Sequence, residues 1–150
     1  MTIVVEDASI RDLDRLCEIE GECFKEEAFT RAQIAQLLRD YNSVSLAARV
    51  QQTIVGFVIG AVYVDRKTLH GHIATIEVLS DFRRRGIGQK LLLSIETLFT
   101  QKGVKTISLE VREDNVPAIA LYTKLGYRTI GKLKNYYGGV HGVYLRKVLA

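Results

Sequence analysis

Val78-Leu79-Ser80-Asp81-Phe82-Arg83-Arg84-Arg85-Gly86-Ile87-Gly88-Gln89-Lys90-Leu91-Leu92 passes from an apolar strand end, through a polar turn and three arginines, into a Gly-x-Gly that opens a helix. A helix start carries unpaired N–H groups and a partial positive charge. Glycines leave that backbone open to an anion, and arginines add charge and bidentate donors, so the segment reads as a phosphate cradle. It holds neither the Gly-Lys-Ser/Thr of a P-loop nor the longer dinucleotide fingerprint. One rival is a plain solvated turn before an ordinary helix. The other is a basic patch for nucleic acid. No aromatics interleave with the arginines and the rest of the helix is not basic, which weighs against nucleic acid.

Outward from this turn the chain alternates strands and helices. Upstream, residues 72–79 read as a strand with Ala74, Ile76 and Val78 on one face and Ile73, Thr75 and Leu79 on the other. Residues 44–50 and 53–64 read as a hairpin about Gln51-Gln52. Residues 2–7 form a first strand. Ser9 and Asp12 resemble a capping box ahead of a helix with Leu13, Leu16, Cys17 and Ile19, ending near Phe24. Thr30 can cap a second helix with Ile34, Leu37 and Leu38 on one side. Downstream, residues 86–100 form an amphipathic helix with Ile87, Leu91, Ile95 and Leu98 on its apolar face, closed by Gly103. A strand over 105–111 follows, then a helix capped by Asn115 with Pro117 in its first turn, closed by Gly126. Residues 127–134 and 140–148 are the last strands. The order β-α-α-β-β-β-α-β-α-β-β predicts one α/β domain over 1–150, a mixed seven-stranded sheet with helices on both faces. Parallel pairing is expected wherever a helix bridges two strands.

Composition narrows the function classes. Apolar residues at 47% and charged residues at 25% are globular usage, and 150 residues can bury a core unaided. No apolar run approaches the ~20 residues of a membrane span, and the first residues lack the pattern of a secretory signal. The expectation is an intracellular, cytoplasmic protein with no membrane partner. Cys17 and Cys23, six apart on one helix, make neither a disulfide framework nor, without nearby histidines, a metal site. The net charge of +4 favours anionic partners, nucleic acid or a polyphosphate cofactor.

The motif Arg83-x-x-Gly86-x-Gly88 after an apolar strand resembles the signature of the GNAT superfamily of N-acetyltransferases. Leu109-Glu110-Val111-Arg112, Asn115, Ala118-Ile119-Ala120-Leu121-Tyr122, Leu125-Gly126-Tyr127 and Asn135-Tyr136-Tyr137 are more narrowly similar to the RimI-type protein N-terminal acetyltransferases. The resemblance implies acetyl-CoA as cofactor and no metal. It implies that backbone at Ile76, Glu77 and Val78 pairs with pantetheine. Arg83, Arg84, Arg85, Gly86, Ile87, Gly88 and Gln89 would cradle the pyrophosphate, and Asn115 and Tyr122 would also touch the cofactor.

The implied reaction, attack of a neutral amine on a thioester, needs a base, a stabilised oxyanion and a proton for the leaving thiolate. The resemblance gives Glu110 the base role and Tyr122 the acid role. His72, placed at a strand start and titrating near neutrality, is a secondary candidate for sharing the base role. Glu77 is expected to point across the sheet rather than into the chemistry. Phe24, Glu27, Tyr136 and Tyr137 would line the acceptor groove, although adjacent strand residues face opposite ways, so one tyrosine of the pair should reach it. The segment Phe24-Lys25-Glu26-Glu27-Ala28-Phe29 departs from the Pro-containing turn common in RimI-like proteins. The expected function is acetylation of a protein N-terminus by a monomer or weak homodimer that binds no nucleic acid. A small amine or lysine acceptor is the alternative, and a CoA-sensing or nucleic-acid-binding module is the rival outside enzymes.

Overall fold

Eleven regular elements run through the computed structural model, which describes residues 2–24 and 28–149. They are β1 (Ile3–Asp7), α1 (Leu13–Cys23), α2 (Arg31–Arg39), β2 (Ser43–Val50), β3 (Thr53–Asp65), β4 (Thr68–Val78), α3 (Ile87–Gln101), β5 (Thr106–Arg112), α4 (Val116–Lys124), β6 (Arg128–Tyr137) and β7 (Val140–Val148). The expected order holds. Its punctuation is chemical. Ser9 and Asp12 form a reciprocal capping box before α1, Thr30 and Gln33 form another at α2, and Asn115 Oδ1 accepts the Ala118 N–H at α4.

Two strand boundaries differ from the sequence expectation by more than one residue. β4 begins at Thr68, so His72 lies inside the strand rather than at its start. The cause is the turn Arg66-Lys67, whose φ values of 51° and 66° give the left-handed pair that a two-residue hairpin needs. Arginine and lysine carry no turn signal, so the continuation of the hairpin was invisible in the sequence. Gln51 and Gln52 adopt the same geometry between β2 and β3, where the hairpin was expected. β6 also runs on to Tyr137.

The seven strands lie in the order β1-β2-β3-β4-β5-β7-β6. Among the described residues, only β4 and β5 pair in parallel, bridged by α3. The expectation of parallel pairing at every helical bridge is corrected at two places. Two helices between β1 and β2 reverse the chain twice, and those strands pair antiparallel. After α4, β6 pairs with β7 rather than β5, because β7 inserts between them.

α3 turns Ile87, Leu91, Leu92, Ile95 and Phe99 into the sheet, while Leu16 and Ile19 of α1 and Ile34 of α2 are buried on the other side. Each such side chain contributes roughly 1.5–3 kcal/mol on leaving water. Leu98, expected on the apolar face of α3, is only half-buried, and Phe99 takes the deeper place. Phe99 sits so close that a Cβ at Gly60 would stand 2.9 Å from its ring, 3.0 Å from the His72 carbonyl and 3.0 Å from Ile95. Gly60→Ala should therefore destabilise the fold by about 1–3 kcal/mol in denaturant titration. Adding Phe99→Leu should restore part of that loss if the ring contact is its source.

Candidate active site

β4 and β5 are joined over three residue pairs, His70–Thr106, Gly71–Ile107 and His72–Ser108. β4 then continues to Val78 and β5 to Arg112 without pairing to each other. The strands part, and β4 keeps its bonds to β3 on one edge while Ile76, Glu77 and Val78 have no strand partner on the other, the Val78 carbonyl accepting from Arg83 Nε. An extended amide chain can add to such an edge.

At the apex of the gap two predicted residues meet. His72 Nε2 stands 2.8 Å from Glu110 Oε1 and 3.1 Å from Oε2. The carboxylate only accepts, so Nε2 carries the hydrogen. A neutral imidazole with that tautomer keeps its lone pair on Nδ1. Glu110 is thus bonded to His72, not to Arg112, which pairs with Asp114 at 3.0 Å. Its β7 neighbour is Tyr144, so that ring shares the face. Tyr144 was missed because nothing local to residues 140–148 marks it; only the cross-strand register does.

Tyr122 is buried at 7% exposure on α4, with its ring 5.8 Å from that of Tyr127. Burial first, then the neighbouring Glu77 and Tyr137, holds its phenol well above the ordinary value, so at neutral pH it is a proton donor only. Tyr136 is raised by partial burial and by Glu110. Glu110 thus acts on Tyr136 electrostatically, and Tyr137 on Tyr122. The rings of Tyr136 and Tyr137 meet edge to face at 4.9 Å, which corrects the expectation that they point to opposite sides. The cause is an irregularity in β6, with Asn135 at φ 53° and a register shift between Leu133 and Tyr137. Phe24 closes α1 and is half-buried. Glu27 lies outside the described residues.

The turn after β4 has the features of an anion cradle. Arg84 and Gly86 take left-handed φ values of 63° and 79°. The α3 ladder starts with Lys90 N–H to Gly86 C=O, so the earlier amides face out of the helix end. No protein atom lies within 4 Å of the position a Cβ would take on Gly86, and that space suits a diphosphate. The arginines divide. Arg83 turns back, its Nε donating to the Val78 carbonyl at 3.1 Å and its Nη2 approaching Cys23 Sγ at 3.8 Å. Arg85 lies over the Phe82 ring at 5.3 Å. Asn115 Oδ1 is used by its own helix. Ile87 is buried in the core, so only its backbone can serve a ligand. Among the described residues, no three His, Cys, Asp or Glu side chains are arranged to hold a metal, and no helix is long and apolar enough to cross a membrane.

Residues 9–127 match the acetyltransferase (GNAT) family. An N-alpha-acetyltransferase of Saccharolobus solfataricus is 30% identical over 150 residues, spanning 94% of this chain and 89% of its own. A ribosomal-protein-bS18-alanine N-acetyltransferase of Salmonella typhimurium is 36% identical over 99 residues, spanning 66% of this chain and 64% of its own. Among solved structures, Ard1 from Thermoplasma volcanium superposes with a TM-score of 0.91 at 26% identity, covering 100% of this chain and 99% of that one.

Gly86→Val places a branched side chain where φ is positive and the cradle is open. It should raise the acetyl-CoA dissociation constant at least about tenfold in calorimetric titration, with the circular dichroism spectrum unchanged.

Proposed function

The chain belongs to the acetyltransferase (GNAT) family and is an acetyl-CoA-dependent N-acetyltransferase; from that premise we propose that it acetylates the α-amino group of protein N-termini, as a RimI-type enzyme. The contact between His72 and Glu110 at the apex of the strand gap carries this reading. It sets a carboxylate beside an imidazole where an amine would meet a thioester held along β4. The names of the Saccharolobus and Salmonella relatives point to the same acceptor class.

Acetyl-CoA, when bound, supplies the acetyl thioester. The turn at Arg84 to Gln89 would hold the diphosphate on its outward amides, and the free edge at Ile76 to Val78 would hold the pantetheine amides. Glu110 accepts the proton of the attacking amine, directly or through one water. His72 orients that carboxylate. Tyr122 delivers a proton toward the departing sulfur, a role its buried, protonated phenol suits. Phe24, Tyr136 and Tyr137 wall the acceptor's approach.

Acceptor chemistry favours an α-amine. With a pKa of about 8, roughly a tenth of an α-amino group is neutral at pH 7, against less than ~0.1% of a lysine side chain. A carboxylate base has far less to do for the first. We place the reaction in the cytoplasm, in one domain that works as a monomer or weak homodimer without nucleic acid or membrane.

Peptides differing in their first two residues, assayed beside free amines and internal lysines, test the acceptor. N-terminal acetylation should dominate by mass spectrometry; brisk turnover of free amines with silent peptides would reverse the assignment. Glu110→Gln and Tyr122→Phe should each lower kcat/KM by about 10²–10⁴-fold, leaving acetyl-CoA affinity within about twofold.

A further inference from the structure

Tyr122 is the only buried residue of α4; the rest of that helix is half-buried or exposed. A helix with so little apolar purchase is weakly fixed in rotation by its own packing. The aim of the Tyr122 phenol therefore depends on where α4 is tied down. Its C-terminal end is tied twice. Gly126 takes the left-handed step at φ 100°, its N–H donating to the Thr123 carbonyl at 3.1 Å, and the Tyr127 N–H donates to the Tyr122 carbonyl at 3.0 Å. In this doubled closure the residue after the glycine also packs back on the helix. Here that contact is ring on ring, Tyr127 against Tyr122 itself.

Tyr127, which has no part in the mechanism above, is locked into the core. It is 2% exposed, and its hydroxyl donates to Glu96 Oε2 of α3 at 2.8 Å. Lys147 Nζ of β7 donates to Glu96 Oε1 at 2.7 Å and lies 5.7 Å from the centre of the Tyr127 ring. Each oxygen of the Glu96 side chain, 7% exposed as a residue, thus has its donor. The stem of Lys147 crosses Gly126, where a Cβ would stand 3.4 Å from its Cε. Burial first, then Glu96, holds the Tyr127 phenol well above its ordinary value, so it serves only as donor. A buried ion pair adds little net stability over apolar side chains of the same volume, because desolvation offsets attraction. What it supplies here is direction: a phenol bonded to a fixed carboxyl oxygen has one place for its ring.

We propose that Tyr127 is a positioning residue for Tyr122, and that Glu96, held by Lys147, is its anchor. α3 and β7 fix the ring of Tyr127, and Tyr127 fixes the ring and backbone carbonyl of Tyr122 through the end of α4. This rests on the reading of Tyr122 as the proton donor to the departing sulfur. The helix that opens at the diphosphate cradle would then also carry, roughly 15 Å further along at the helical rise, the anchor that aims the donor.

Tyr127→Phe removes the hydroxyl and keeps the ring. Glu96→Leu removes the anchor from the opposite side and leaves Lys147, whose side chain is 22% exposed, a path to water. Each variant should slow acetyl transfer in a single turnover about tenfold, with acceptor KM and the acetyl-CoA dissociation constant within about twofold of wild type. Glu96→Gln still offers the phenol an oxygen and should stay within about threefold of the wild-type rate. The decisive comparison repeats Tyr127→Phe and Glu96→Leu in a Tyr122→Phe background. With the donor gone there is nothing left to aim, and each should change the remaining rate by less than about twofold. All rates are taken at a temperature where circular dichroism shows every variant folded.

The same slowing in both backgrounds would mark a general loosening of the fold and overturn the proposal. So would single variants as fast as wild type, a Glu96→Gln rate as low as that of Glu96→Leu, or a loss confined to acceptor KM or cofactor binding. If Tyr122→Phe itself is as fast as wild type, the donor reading fails and takes this inference with it. If Tyr122→Phe is slow while Tyr127→Phe and Glu96→Leu are not, the positioning role fails alone.

Discussion

The parting of β4 from β5 is the constraint on which the rest depends. Three parallel residue pairs bring His72 beside Ser108, and that register sets Glu110, two residues further, on the face of the imidazole. Had pairing continued, the backbone of Ile76 to Val78 would be spent on β5. Because it stops, one strand carries the His72–Glu110 contact at its paired end and an edge without a strand partner beyond it. The cradle at the start of α3 then lies at the end of that same strand, so the two ends of a long ligand are registered by one element.

Much of this was legible in the sequence, where a local chemical signal existed. Capping residues marked α1, α2 and α4, Gly-x-Gly marked the start of α3, and a period of two marked β4. Glu110 and Tyr122 were picked out by resemblance; the structure sets Glu110 against His72 and buries Tyr122 on α4. What escaped was long-range or conformational. His72 was singled out, but its bond to Glu110 spans 38 residues, and no pattern near either end announces it. The left-handed pair at Arg66-Lys67 is imposed by strand twist rather than favoured by those residues. Tyr136 and Tyr137 obeyed alternation on paper, and one strained backbone at Asn135 set it aside.

The arginine triplet teaches a related lesson. The sequence reading gave the three arginines charge and bidentate donors without distinguishing them. In the fold Arg83 is bonded to the carbonyl that ends β4 and to Cys23, while Arg85 rests on Phe82. The outward amides of the turn carry no sequence letter of their own, and the guanidinium groups shape the turn and its field.

The close approach of Phe99 to Gly60 and Gly71 reaches further than packing. Phe99 lies near one tip of α3 and Gly86 at the other, about 20 Å away at the helical rise. A helix is stiff along its axis, so it behaves as a beam pinned at the aromatic end. A few degrees of tilt introduced there would swing the opposite tip by more than an ångström, comparable to the tolerance of a hydrogen bond. The two glycines, packed beside His72, thus set the direction in which α3 begins.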